Sequence, residues 1–161
     1  MAESEDDLRS SHSAVSFVRS VYFPLWRDSL DGMSRGRYSM AYEVEYTDEF
    51  GAWWDGLSVQ EQVSIEAVID LLMEWGPRLG HPHSSAIYGS RHGHMRELRV
   101  QHQGRPYRIL YAFDPRRTAI LLIGGDKTGQ ARWYSRFVPM GDDLYDQHLR
   151  EIRGHPGDQH Q

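Results

Sequence analysis

The chain has no cysteine in 161 residues. Neither a disulfide framework nor a thiolate metal site can form. No apolar run approaches the roughly 20 residues needed to span a bilayer, so no membrane partner is expected. The first residues, MAESEDDLRSSHS, lack a basic n-region, and Arg19 breaks the modest apolar stretch after them. No secretory signal is expected, and cytoplasmic is the natural location. Lysine is almost missing as well: Lys127 is the only one among eighteen Lys and Arg side chains. Residues 42–75 contain no Lys or Arg at all, against nine acids.

What is present suffices for one soluble domain. With 25% charged and 12% aromatic residues, the chain has the material for a core. The net charge of −5 conceals a strong segregation. Residues 76–136 carry ten Arg and Lys127 against only Glu97, Asp114 and Asp126, a net of +8. A patterned charge of this kind has two readings: a face for an anionic partner such as RNA, or a fold in which acidic helices neutralise basic strands.

Hydrophobic spacing predicts one domain over 42–153. Residues 1–41 read as a partly disordered extension with a GMSRGR linker and a short helical stripe at Val15, Val18, Val21 and Tyr22. Met33 and Met40 leave open a later start. Tyr42–Tyr46 alternates like a half-buried strand. Thr47 caps a short helix anchored by Phe50, Trp53 and Trp54 and ending near Gly56. Ser58 and Glu61 form a capping box, followed by Ile65, Val68, Ile69, Leu72 and Trp75 at helical spacing up to Gly76-Pro77. Residues 77–93 read as a loop. Strands follow at 95–100, 107–113 and 118–123, with Ser135–Pro139 a connector and Leu144–Ile152 a C-terminal helix. Residues 154–161 read as a disordered tail. The order β-α-α-β-β-β-α predicts an α+β fold, with helices on one side of a small, mainly antiparallel sheet.

This order, with ELRV, YRILY, GGDK and WY in series over 97–134, resembles the RelE/HigB toxins of bacterial type II toxin–antitoxin pairs, in particular their phage-derived HigB-like branch. The resemblance covers residues 42–152. It implies a RelE/ParE-like fold with an N-terminal strand and helical hairpin. It also implies an mRNA interferase that cuts messenger RNA on the ribosome, and a cognate helix-turn-helix, HigA-like antitoxin. Arg99 falls where the family carries a basic residue at the end of the second strand. Arg108 falls on the arginine of its YR-aliphatic motif, and Lys127 on the Lys or Arg after the fourth strand. Tyr134 falls near a C-terminal tyrosine of some members. Glu97 departs from the lysine of the best-known RelE toxins.

The residues themselves fit such chemistry. Attack of a ribose 2′-hydroxyl on its own phosphate is helped by fixed cations that bind the phosphate as charge builds. Arginine matches phosphate oxygens in a bidentate way but cannot act as a base. Arg99, Arg108, Lys127 and Tyr134 are therefore the expected catalytic set. His94, Arg96, Arg105, Arg132 and Arg136 are the expected RNA contacts. Simpler readings stand beside these: Arg99 and Arg108 paired with Glu97, and Tyr134 packed on the sheet edge. His81-Pro-His83 and His92-Gly-His94 lack a carboxylate at ligand spacing, so no metal and no cofactor are expected. Two other functions stay open: a non-enzymatic ParE-like gyrase poison, and a degenerate toxin homologue that binds a partner.

Overall fold

The computed structural model describes residues 42–154 together with Arg19–Ser20. The remaining expectations for 1–41 and for 155–161 lie outside the described residues. Within the stretch read as an N-terminal helix, Arg19–Ser20 is instead a short strand, β1. It pairs antiparallel with β2, Val44–Tyr46.

Helix α1 spans Asp48–Asp55 and α2 spans Val59–Trp75. The Thr47 hydroxyl accepts from Phe50 N at 3.1 Å and donates to Leu122 O at 2.6 Å. One side chain thus caps α1 and moors it to the sheet. Ser58 and Glu61 complete the capping box at the start of α2. Gly76 ends α2 at φ +56°, where a Cβ would also strike the Tyr42 ring. Trp75, expected in the core, is half-exposed, with the Arg78 guanidinium 5.8 Å from its ring centre.

The remaining strands are β3 (Ser84–Ala86), β4 (Arg96–His102), β5 (Arg105–Phe113) and β6 (Ala119–Asp126). The sheet order is β1-β2-β6-β5-β4-β3, with β2 and β6 parallel and the other pairs antiparallel. Strand β6 is central and is buried from Ala119 to Gly125, as its continuous apolar run requires. The expected loop at 77–93 contains β3. Its residues Ser84, Ser85 and Ala86 carry no hydrophobic period, so only their pairing with β4 marks them as a strand.

Helices cover both faces of the sheet, not one. Phe50, Ile65, Val68, Ile69 and Leu72 pack with Leu98, Val100, Tyr107, Ile109 and Tyr111. On the other face Trp133, Val138 and Tyr145 meet Met95, Leu110, Ala112, Ile120, Leu122 and Ile123. The alternation within β5 and β6 leaves apolar side chains on both sides, and each side must be covered.

The cover on the second side is α3, Trp133–Arg153, which runs through the segment expected to be a connector. Pro139 lies inside it and cannot donate to the preceding turn, a cost of about 3 kcal/mol. Burial of Trp133, fully enclosed, is worth about 5 kcal/mol of transfer free energy and offsets it. Gly141 allows close approach, since a Cβ there would lie 3.0 Å from Leu110.

Candidate active site

Strands β4 and β5 pair so that Arg99 stands directly opposite Arg108. Cross-strand partners point to the same face, and Glu97, two residues before Arg99, shares it. Leu110 on that face packs under α3, so the face is the one α3 covers. Two guanidiniums placed opposite one another repel. Glu97, only 3% exposed, offsets this. Its Oε1 lies 3.4 Å from Arg99 Nη1 and its Oε2 lies 3.9 Å from Arg108 Nε.

Two hydroxyls complete the carboxylate's surroundings. Tyr134 Oη donates to Oε2 at 2.7 Å, and Ser85 Oγ donates to Oε1 at 2.9 Å. Lys127 Nζ lies 4.9 Å from the centre of the Tyr134 ring, a cation–π contact. Tyr134 itself is placed by its neighbour. Trp133 nests on Gly125, where a Cβ would lie 2.9 Å from the indole Nε1. Gly125 is in turn the β6 partner of Arg108. The bare glycine backbone sets the start of α3, and with it the direction of Tyr134.

Arg99, Arg108 and Tyr134 therefore meet around one carboxylate, from β4, β5 and the first turn of α3, and Lys127 in the turn after β6 joins them through the Tyr134 ring. These four differ in reach. Arg108 is buried at 4% exposed. Its Nη1 donates to Tyr107 O at 2.9 Å, and its Nε has no hydrogen-bond partner among the described residues. The Arg99 side chain is 35% exposed, and Lys127 is half-buried. No carboxylate pairs with Lys127 among the described residues. Burial raises the Tyr134 phenol, and Glu97 raises it further, against a smaller opposing effect of Arg108. Tyr134 therefore keeps its proton at neutral pH.

The five expected RNA contacts separate. Arg96 points to the opposite face, where its Nε donates to Ser84 Oγ at 3.1 Å. Arg105 lies near Glu61 and Asp126, at 3.7 and 3.6 Å, and over the Tyr107 ring. It shares Tyr107's face, away from the cluster. His94 Nε2 lies 3.1 Å from Tyr145 Oη. Tyr145 is eleven residues beyond Tyr134 on α3, roughly 16 Å along the axis. Arg132 and Arg136 are exposed and line an open cleft with Gln130, Ala131 and Ser135 at the start of α3.

The pairing of Arg99 and Arg108 with Glu97 that the sequence offered is present, but sequence reasoning missed Ser85 and the Tyr134 bond to Glu97. Glu97 carried a usable signal, since it lies two residues before Arg99 on a predicted strand. Ser85 carried none, because β3 has no period.

One group of possible metal ligands exists among the described residues: Glu45, Asp114 and His148, with ligand atoms within 4.8 Å. Arg116 Nη2 already lies between the two carboxylates, 2.6 Å from Glu45 and 2.7 Å from Asp114. Burial works to raise the Asp114 carboxyl, but the bonds from His148 and Arg116 prevail and hold it below its usual range. A guanidinium thus does here what a cation would do, joining β2, the β5–β6 turn and α3.

The sequence profile described as "Phage derived protein Gp49-like" matches residues 52–146, a segment containing Glu97, Arg99, Arg108, Lys127 and Tyr134. A Mycobacterium tuberculosis protein named "Putative toxin HigB2" is 41% identical over 107 residues. That match covers 65% of this chain and 53% of the relative, so the chain spans about half of that protein's length. A second M. tuberculosis protein, "Putative toxin HigB3", is 41% identical over 103 residues, covering 63% of this chain and 89% of the relative. On its fold and on these matches, the chain belongs to the phage-derived, Gp49-like family, in its HigB-like branch.

Proposed function

We propose that this protein is the toxin of a type II toxin–antitoxin pair and acts as a ribosome-dependent mRNA endonuclease. The names of the two relatives support the toxin reading. The observation that carries the nuclease reading is the meeting of Arg99, Arg108 and Tyr134 around Glu97, with Lys127 resting on the Tyr134 ring and free of any carboxylate among the described residues. Arg99 and Lys127 reach solvent and bind the scissile phosphate. Arg108 stands behind them. The ribose 2′-oxygen attacks phosphorus, the P–O5′ bond breaks, and a 2′,3′-cyclic phosphate forms. The departing 5′-oxygen takes its proton from the Lys127 ammonium, because the one Tyr134 proton is held by Glu97. The 2′-hydroxyl proton goes to a base supplied by the ribosome–mRNA complex, because both Glu97 oxygens are already engaged. This incompleteness is a physical reason for the reaction to need the ribosome. The exposed Arg132 and Arg136 extend the basic surface along the RNA backbone. A helix-turn-helix, HigA-like antitoxin is the expected partner that silences the site.

The test is expression in cells without antitoxin, with transcript 5′ ends mapped after induction. New ends within reading frames are expected for the natural protein, and their loss for Lys127→Ala. Growth arrest with unchanged transcripts overturns the reading. One observation favours a second reading: Arg108 is buried and Arg99 is turned toward Glu97. A partner-binding homologue that cuts nothing has such inward-facing cations, and unimpaired growth on expression supports it.

A further inference from the structure

Read from sequence, Glu97 either subtracts positive charge from a basic face or pairs with Arg99 and Arg108. Its surroundings give it a use. The carboxylate is buried beneath α3 and is contacted from four elements: Ser85 on β3, Arg99 on its own strand β4, Arg108 on β5 and Tyr134 on α3. Lys127 also faces the cluster, through the Tyr134 ring. A lone carboxylate in this position is unfavourable unless several donors hold it, and here both oxygens are held.

We propose, on the nuclease reading above, that Glu97 is a positioning residue: it pins Tyr134, on whose ring Lys127 rests, and holds the Arg99 and Arg108 guanidiniums side by side, so the RNA phosphate meets a preset group of cations. The hydroxyl of Tyr134 donates to Glu97, the acceptor at this site, and Arg108 lies on its other side. Without that acceptor the phenol keeps Arg108 and the Trp133 ring as neighbours but has no acceptor for its proton, so it is held less firmly. Lys127, resting on the same ring, loses its seat with it. The two guanidiniums, paired across β4 and β5 with like charge, lose the group that allows their closeness. Glu97 reaches no solvent and touches no RNA, so its effect on cleavage passes through Tyr134 and Arg99.

Two measurements test this. The first is single-turnover cleavage of a ribosome-bound mRNA by the full chain and by Glu97→Gln, which keeps the shape and removes the charge. The expected result is a fall in the cleavage rate on the order of 100-fold with little change in half-saturation, since a displacement of about 1 Å costs about that much. The second is titration of tyrosinate absorbance, with Tyr134→Phe identifying which transition belongs to Tyr134. That transition moves to lower pH in Glu97→Gln, because a neighbouring negative charge has been removed. Ser85→Ala, which removes one bond to Glu97, keeps its charge and threatens folding less, lowers the cleavage rate by a smaller factor and does not move that transition to lower pH. If the natural protein cleaves RNA while Glu97→Gln matches it in rate and titration and Ser85→Ala matches it in rate, Glu97 has no positioning role. If the natural protein cleaves no RNA under any condition, the nuclease reading fails, and the positioning role for cleavage fails with it.

Discussion

Replacing Arg108 by methionine removes a buried charge while keeping most of the stem's bulk. The structure sets the expected cost. Arg108 is 4% exposed and shares Glu97 with Arg99, Tyr134 and Ser85. Breaking a buried ion pair by removing one partner costs about 3–5 kcal/mol when the other charge is left alone. Glu97 is not left alone, the Arg108 contact is long at 3.9 Å, and its Nε lacks a hydrogen bond. The loss should therefore lie below that range, at about 2 kcal/mol. Glu97→Gln alone should cost about 2 kcal/mol as well, because Arg108 then stays buried without its counter-charge. The double variant should cost less than the sum, with a coupling of about 1–2 kcal/mol. Urea unfolding measures all three. With a slope of about 1.5–2 kcal/mol per M, each single variant moves the midpoint by about 1 M. Single variants within about 0.5 kcal/mol of the natural protein, or strict additivity, would show that the Arg108–Glu97 contact carries no energy. On the sequence alone Arg108→Ala is expected to abolish toxicity and leave the fold intact. Burial revises that expectation, and a toxicity assay needs the stability measurement beside it.

Gly124→Ala should destabilise by at least about 2 kcal/mol, because its Cβ would fall 2.2 Å from the Trp53 ring and force α1 off the sheet. A melting temperature close to that of the natural protein would show that α1 yields easily. The Tyr107–Glu61 bond predicts a pH signature. Glu61 is held down to about 2 from 4.5, first by the Tyr107 hydroxyl and then by the Ser58 cap. Its contribution is complete above pH 4.5 and lost as pH falls toward about 2. Tyr107 is pushed up to about 12 from 10.0 by burial and by Glu61. Its contribution is complete below pH 10.0 and lost as pH rises toward about 12. The difference in melting temperature between the natural protein and Tyr107→Phe should thus shrink at both extremes; a difference constant with pH would contradict the pairing.

The elements that sequence reveals best are those with a local chemical signature. Ser58 and Glu61 announce α2, Thr47 announces α1, and the unbroken apolar run at 119–123 announces a central strand. Alternation along β5 separates Arg108 from Tyr107 and Tyr111, and alternation along β4 puts Arg96 on the face away from Arg99. What stays hidden depends on distant partners. β3 is a strand only because β4 lies beside it. α3 continues through Pro139 because Trp133 and Val138 are buried, which no local propensity shows. The convergence of Arg99, Arg108, Lys127 and Tyr134 was legible as a list of residues. The pairing of Glu97 with Arg99 and Arg108 was legible too, but its bond from Tyr134 was not, because α3 brings that residue from 37 positions away.

The most direct measurement is chemical. Purified protein is mixed with translating ribosomes and a defined mRNA, and the new RNA ends are identified. The account predicts a 2′,3′-cyclic phosphate on one fragment and a 5′-hydroxyl on the other, formed only when ribosomes are present and lost in Arg99→Ala. Intact mRNA, or fragments ending in a 3′-hydroxyl and 5′-phosphate, would contradict it.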